Sequence, residues 1–433
     1  MAIANAGKLS GSFKKPHDLR IKNQKKILSK PMPTLSKPVI EISNGISDYP
    51  EIQLLLYCAR TQVDVSTTNH IKTLLEQNID WNQLVQLALK HRVTPLLYQT
   101  LSTIGSNLVP ENVLSYLKYQ FQVTARHNLF RTNELIRLTR LIEAQKLLVI
   151  PFKGPTLAAI AYGNLGLRMF GDLDLLVHQR DLTKIKDLLI TQGYQLGIEL
   201  DWECQLIHPK TSIEIDLHWT ITPKRFRFEL NIEQLSTRLQ PFTLAGVSLL
   251  QPGSEDLLLI LCIGWCKDYY GGSSRLAQLC DVAELLRKYP QINWMQVLQR
   301  SHQLGVERML LFTLTLTRNL LGADLPELVL NRLQDDSNVT KLVTQIGSWL
   351  GCQPEIEEPF WSSLSSVNHR LYFAMRERPV DRAIYLFYCI IAPTEQEFAL
   401  LALPKVLSFL YYPLRLVRLG YKYCMGWQQR FSN

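Results

Sequence analysis

From about Tyr49 to Gln145, apolar residues recur at three- and four-residue spacing, the pattern of helices that bury one face. "EIQLLLYCART" and "DWNQLVQLALKHRVTPLLYQTL" both carry it, with Asp80 placed as an N-cap before Trp81. "TNELIRLTRLIEAQKL" predicts a further amphipathic helix. Then the period changes. "LLVIPFK" (Leu147 to Lys153) is a short, continuous apolar run and predicts a buried strand. Gly154 and Pro155 break it, and "TLAAIAY" follows as a short helix with Pro155 in its first turn. "DLDLLV" predicts a second strand, and "QRDLTKIKDLLITQGY" a helix that stops at Gly193. "CQLIHP" and "SIEIDLHW" predict two more strands. The latter alternates Ile213, Ile215 and Leu217 against Glu214, Asp216 and His218.

After "LQPGSEDLLLILC", with Ser254 as the expected N-cap, the pattern is helical to about Leu350. The last segment, "FALLALPKVLSFLYYPLRLVRLGYKYCMGW", is apolar, aromatic and basic. Pro404, Lys405 and Pro413 interrupt it, which favours a helix packed on the body or lying on a membrane surface over one that spans. The expected class is α+β: a small mixed β-sheet core over 147–250 flanked by mainly helical regions. These are an N-terminal region (48–146), a helical domain (251–350) and a C-terminal region (351–433) with a basic aromatic end. A chain of 433 residues is long enough for more than one core.

Charge sharpens the division. The net charge is +9, but residues 1–40 carry +8 and residues 405–433 carry +5, which leaves the body between them at −4. The basicity belongs to the ends, and the body lacks the positive cradle that a long nucleic acid requires. Nucleic acid is therefore disfavoured as the main partner, and peripheral membrane contact through the C-terminal end is an expectation. Residues 1–47, lysine- and proline-rich, read as a flexible tail without the apolar run of a secretory signal. The eight cysteines form no CxxC pair, which predicts reduced thiols filling cores in the cytoplasm and no zinc site.

The candidate chemistry lies in "FKGPTLAAIAYGNLGLRMFGDLDLLV", Phe152 to Val177. On a strand, residues i and i+2 share a face, so Asp172 and Asp174 point the same way, roughly 6–7 Å apart. Asp216 has the matching place in its own strand. If the two strands are neighbours, three carboxylates converge, and their repulsion calls for hard divalent cations, Mg²⁺ or Mn²⁺. Such ions can hold a triphosphate and stabilise a leaving pyrophosphate. Lys153, Gly154 and Thr156, at a strand-to-helix turn, and Arg168 are the expected phosphate contacts. Lys267 and Arg275 are candidates to close over a nucleotide. His218 shares the face of Asp216 and is a candidate to polarise an acceptor. Surface ion pairs are the plainer reading of Lys267, Arg275 and Asp281, a satisfied histidine that of His218, and a solvated acidic edge that of the DxD.

"KGPTLAAIAYGNLGLRMFGDLDLLV" followed by "EIDLHW" resembles the DNA-polymerase-β-type nucleotidyltransferase superfamily. Within it, the closer likeness is to a bacterial nucleotidyltransferase-like family that reads KG, then R-x-x-GDLDLLV, then a third Asp. The resemblance implies metal ligation by Asp172 and Asp174, and Asp216 as third carboxylate and activator of an acceptor hydroxyl. It implies an NTP donor and an acceptor that the sequence does not identify. Lys153-Gly154-Pro155-Thr156 stands where the superfamily has Gly-Ser or Gly-Gly. The competing reading is a nucleotide-binding or interaction protein on the same fold without turnover.

Overall fold

The computed structural model describes residues 49–223, 226, 228, 230–344, 372–391, 393, 397, 400, 401 and 403–431. They belong to one compact unit that begins at Ile40, and the tail expected over 1–47 lies outside the described residues. The class is α+β, as the sequence predicts.

The first helices are α1 (Pro50–Cys58), α2 (Val65–Leu75), α3 (Trp81–Lys90), α4 (Thr94–Ile104) and α5 (Glu111–Ala144). Asp80 caps α3 as expected, its carboxylate accepting from Gln83 N–H at 3.0 Å. The 34 residues of α5 rise about 50 Å, and its second half carries Leu135, Leu138 and Ile142 into the core beneath the sheet.

The sheet contains β1 (Val149–Pro151), β2 (Asp172–Val177), β3 (Gln195–Glu199), β4 (Glu203–Ile207) and β5 (Glu214–His218), in the order β1-β2-β5-β4-β3. β2 and β5 are parallel and the other pairs antiparallel, which makes the sheet mixed. Between β1 and β2 lies α6 (Gly154–Ile160), and between β2 and β3 lies α7 (Leu182–Thr191), followed by Gly193 at φ +90°. Leu173, Leu175, Val177, Ile215 and Leu217 pack against α5 and α7 on one face. β3 has no sequence signature because all five of its residues are exposed. A hairpin of β6 (Leu239–Leu244) and β7 (Val247–Pro252) turns at Ala245 and Gly246, both at positive φ, the tight turn that suits strand twist.

The chain continues through α8 (Ile232–Leu235), which precedes the hairpin, then α9 (Ser254–Tyr270), α10 (Leu276–Lys288), α11 (Trp294–Leu304), α12 (Glu307–Leu321), α13 (Glu327–Asp335) and α14 (Ser337–Thr344). The N-cap of α9 is Gly253, not Ser254, whose hydroxyl instead bonds Glu255 at 3.0 Å. α15 (Pro379–Ile391) and α16 (Tyr411–Phe431) come last. The helical regions before and after the sheet share one core, which runs from Ile52 and Leu97 through Leu157 to Trp265, Phe312 and Val339. Helix α3 and helix α10 therefore meet at the edge of the sheet's acidic face.

Candidate active site

The parallel register of β2 and β5 sets Asp172 opposite Glu214, Asp174 opposite Asp216 and Leu176 opposite His218. β4 adds Gln205 opposite Asp216 and Glu203 opposite His218. Directly paired residues share a face, so five carboxylates and one imidazole crowd the side of the sheet away from the α5 and α7 core. The neighbouring strands that the sequence reading required are present.

The crowding shows in the carboxyl groups. Burial, then the charges of Asp174 and Asp172, push Asp216 up to about 8. Burial and Asp174 likewise raise Asp172. Asp174 goes the other way: burial opposes its charge, yet the Lys153 ammonium and a hydrogen bond from His218 hold it well below the usual carboxylate range. Lys153 Nζ lies 3.7 Å from Asp174 Oδ1, and His218 Nε2 lies 3.1 Å from the same oxygen. An ionised carboxylate only accepts, so Nε2 is the donor in this bond. His218 Nδ1, buried and without a hydrogen bond, lies 3.3 Å from Glu203 Oε2. Burial works against the charge of Lys153, but Asp174, Asp268 and Asp172 together raise its pKa.

Among the described residues, one trio offers possible ligand atoms all within 4.8 Å of one another: Glu203, Asp216 and His218. Asp216 thus joins a tighter group than the predicted one with Asp172 and Asp174, because Lys153 and His218 hold Asp174. The donor set is carboxylate oxygen with one imidazole, and burial with the neighbouring carboxylates raises the Asp216 carboxyl. Both features fit a hard divalent cation.

The turn into α6 is tight. Gly154 has φ +51°, and a Cβ there would lie 3.2 Å from the Asp172 carbonyl oxygen. A side chain at this position would strain the backbone and press on the first aspartate. Thr156 is 1% exposed, and its hydroxyl is enclosed without a hydrogen-bond partner.

Arg168 is held rather than open. Its Nε and Nη2 donate to the two oxygens of Asp281 at 2.8 Å each, and Tyr162 donates its hydroxyl to Asp281 at 2.7 Å. Asp281 is buried, not the surface ion-pair partner that the sequence suggested. Asn128 of α5 donates to the carbonyls of Leu165 and Arg168 at 2.6 and 2.7 Å, and Arg131 donates to that of Gly171 at 3.1 Å. The segment leading into Asp172 is thereby fixed from both sides.

Cations border the acidic face. Lys267 Nζ lies 5.8 Å over the Trp202 ring and 3.7 Å from Asp268. The His91 carbonyl accepts from Ala277 N–H at 3.1 Å, and its Nδ1 accepts from Leu276 N–H at 3.3 Å. This docking sets Arg92, exposed and at φ 58°, beside Arg275. Burial and then the charge of Arg92 lower the pKa of Arg275, and Arg92 also acts on Asp172. Gln278 accepts from Arg275 N–H at 2.8 Å and donates to Asp268 at 2.5 Å. Arg92, Glu203 and Asp268 escape a reading of the sequence. Glu203 alone has a local signal, the alternation of its strand. A cavity of about 400 Å³ lined by Gln99, Phe121, Tyr162 and Asn164 contains none of the predicted site residues.

The chain belongs to a family described as uncharacterised nucleotidyltransferases, whose profile matches residues 77–322. The match spans the sheet, the acidic face and both helical flanks, so it covers Arg92 as well as Arg275. No curated protein and no solved structure matches the chain.

Proposed function

We propose that this chain is a Mg²⁺- or Mn²⁺-dependent nucleotidyltransferase of polymerase-β type that moves a nucleoside monophosphate from an NTP to a hydroxyl of a small molecule or a protein. The observation that carries the reading is the register of Asp174 against Asp216 with Asp172 on the same face. Asp172, Asp174 and Asp216 would hold the metal, with Glu203 and His218 beside Asp216 as further donors, and the metal when bound would neutralise triphosphate charge and acidify a hydroxyl. In the transfer, the acceptor oxygen forms a bond to the α-phosphorus, the bond to the β-phosphate oxygen breaks, and pyrophosphate leaves. Asp216, whose carboxyl is pushed up by burial and the neighbouring aspartates, receives the hydroxyl proton. Lys153, Lys267 and Arg275 face the departing pyrophosphate, and Arg92 joins them. Arg168, bound to Asp281, acts by fixing the strand that bears Asp172.

The test is thermal unfolding with each NTP, with and without Mg²⁺, on the wild type and on Asp172→Asn/Asp174→Asn. A metal-dependent rise with one nucleotide that the double variant loses supports the site and identifies the donor. No rise with any NTP would falsify it. The second reading, nucleotide binding without turnover, is favoured by the turn Lys153-Gly154-Pro155-Thr156, which stands where the superfamily has Gly-Ser or Gly-Gly. It predicts the same rise in melting temperature but no release of pyrophosphate.

A further inference from the structure

We propose that α15, α16 and the turn before α16 form a docking surface for an anionic lipid bilayer, independent of the acidic site. The helix α16 is turned inside out. Its inward face carries Tyr411, Arg415 and Leu419, at 8% exposure or less. Its outward face carries Tyr412, Leu416, Val417 and Tyr421, at 46–70% exposure. These four recur at helical spacing, so they form one apolar stripe facing solvent. The arginines that ordinarily solvate such a face point inward instead, where Arg415 and Arg418 bind the buried Glu397.

α15 packs on α16 and repeats the pattern. Tyr385 is buried with its hydroxyl 2.8 Å from that of Tyr270, while Phe387 is 60% exposed. In the turn Lys405–Leu410, Phe409 is 61% exposed. More than half of the large apolar residues exposed among the described ones lie between 380 and 421, a concentration that marks an interaction surface.

Charge selects the occupant. Residues 379–433, which hold both helices and the turn, contain six Lys or Arg and three Asp or Glu, a net charge of +3. A second copy docked on this face would bring two positively charged segments together, whereas an anionic leaflet is their complement. No helix among the described residues is long and apolar enough to cross a membrane, so the contact is one of helices lying in the interface. Aromatic side chains such as Tyr412, Tyr421 and Phe409 suit the headgroup layer.

The test is co-sedimentation of the full chain with vesicles of phosphatidylglycerol and phosphatidylcholine, and with phosphatidylcholine alone. The wild type binds the anionic vesicles, more weakly at high salt, and neutral vesicles poorly. Leu416→Asp/Val417→Asp, at exposed positions, lowers binding at least roughly tenfold with an unchanged melting temperature. Hydrogen exchange on the wild type provides a second readout that does not depend on the variant folding, with added protection in 379–391 and 411–421 when anionic vesicles are present. Absence of binding to anionic vesicles overturns the proposal, as does equal binding by the variant or unaltered exchange in those helices. A concentration-dependent dimer in light scattering, abolished by the variant, also overturns it by assigning the face to a second copy.

Discussion

Replacing Asp216 by Asn tests whether the acidic face is a crowded site or a solvated edge. The carboxyl moves from its ordinary value of 3.8 to about 8 in the metal-free fold, by burial first and then by Asp174 and Asp172. The folded protein thus binds this proton more tightly than the unfolded chain does. Stability from this group is intact below the unfolded value and is lost as pH rises from about 4 through 8. At 1.36 kcal/mol per unit, the full penalty is at most about 5.7 kcal/mol, of which about 1.7 kcal/mol has accrued by pH 5. Between pH 5 and pH 9 the wild type should lose up to about 4 kcal/mol relative to Asp216→Asn, which cannot ionise. Urea unfolding of both proteins in EDTA at pH 5, 7 and 9 measures the difference, since other titrating groups largely cancel. Saturating Mn²⁺ should restore the wild type at pH 9 and leave Asp216→Asn nearly unmoved. A stability difference that is flat with pH, or a variant less stable than wild type at pH 9, would refute the crowding on which the metal site rests.

Asp281→Asn leaves the Arg168 guanidinium buried without its carboxylate and should lower stability by about 3–5 kcal/mol in urea unfolding; a loss below 1 kcal/mol would mean the bidentate pair does not hold the strand. Gly154→Ala places a Cβ against the Asp172 carbonyl at positive φ, and should cost about 1–2 kcal/mol in the same assay. Arg92→Ala removes an exposed cation that burdens Arg275, so stability should stay within about 0.5 kcal/mol while NTP affinity, read by calorimetry, falls roughly tenfold. Unchanged affinity would remove Arg92 from the site.

The strand bearing Asp172 and Asp174 is legible in the sequence because a period of two, bounded by Gly171 and by a helix, admits one reading. The place of Asp216 follows from the same alternation, while its register against Asp174 is visible only once the two strands are paired. Elements without burial contrast are not legible: β3 has five exposed residues, so hydrophobic patterning is silent there. Contacts between distant segments are not legible either. Nothing local in "GLRMFGD" shows that Arg168 meets Asp281, or that His91 docks on the start of α10 and sets Arg92 at the site. Thr156 reads from sequence as a hydroxyl at a strand-to-helix turn, and nothing local shows that its helix packs against α5 and encloses it. The outward apolar stripe of α16 is foreshadowed by its composition, while its direction depends on the buried Glu397, which draws the arginines inward.

The measurement that bears most directly on the proposed chemistry is a Mn²⁺ titration followed by the electron paramagnetic resonance signal of the free ion, in the presence of each NTP. The wild type should take up Mn²⁺ far more tightly with one nucleotide than without, and Asp172→Asn/Asp174→Asn should not. Mn²⁺ binding that no nucleotide strengthens, or that survives the loss of both aspartates, would contradict a metal–nucleotide site on this sheet.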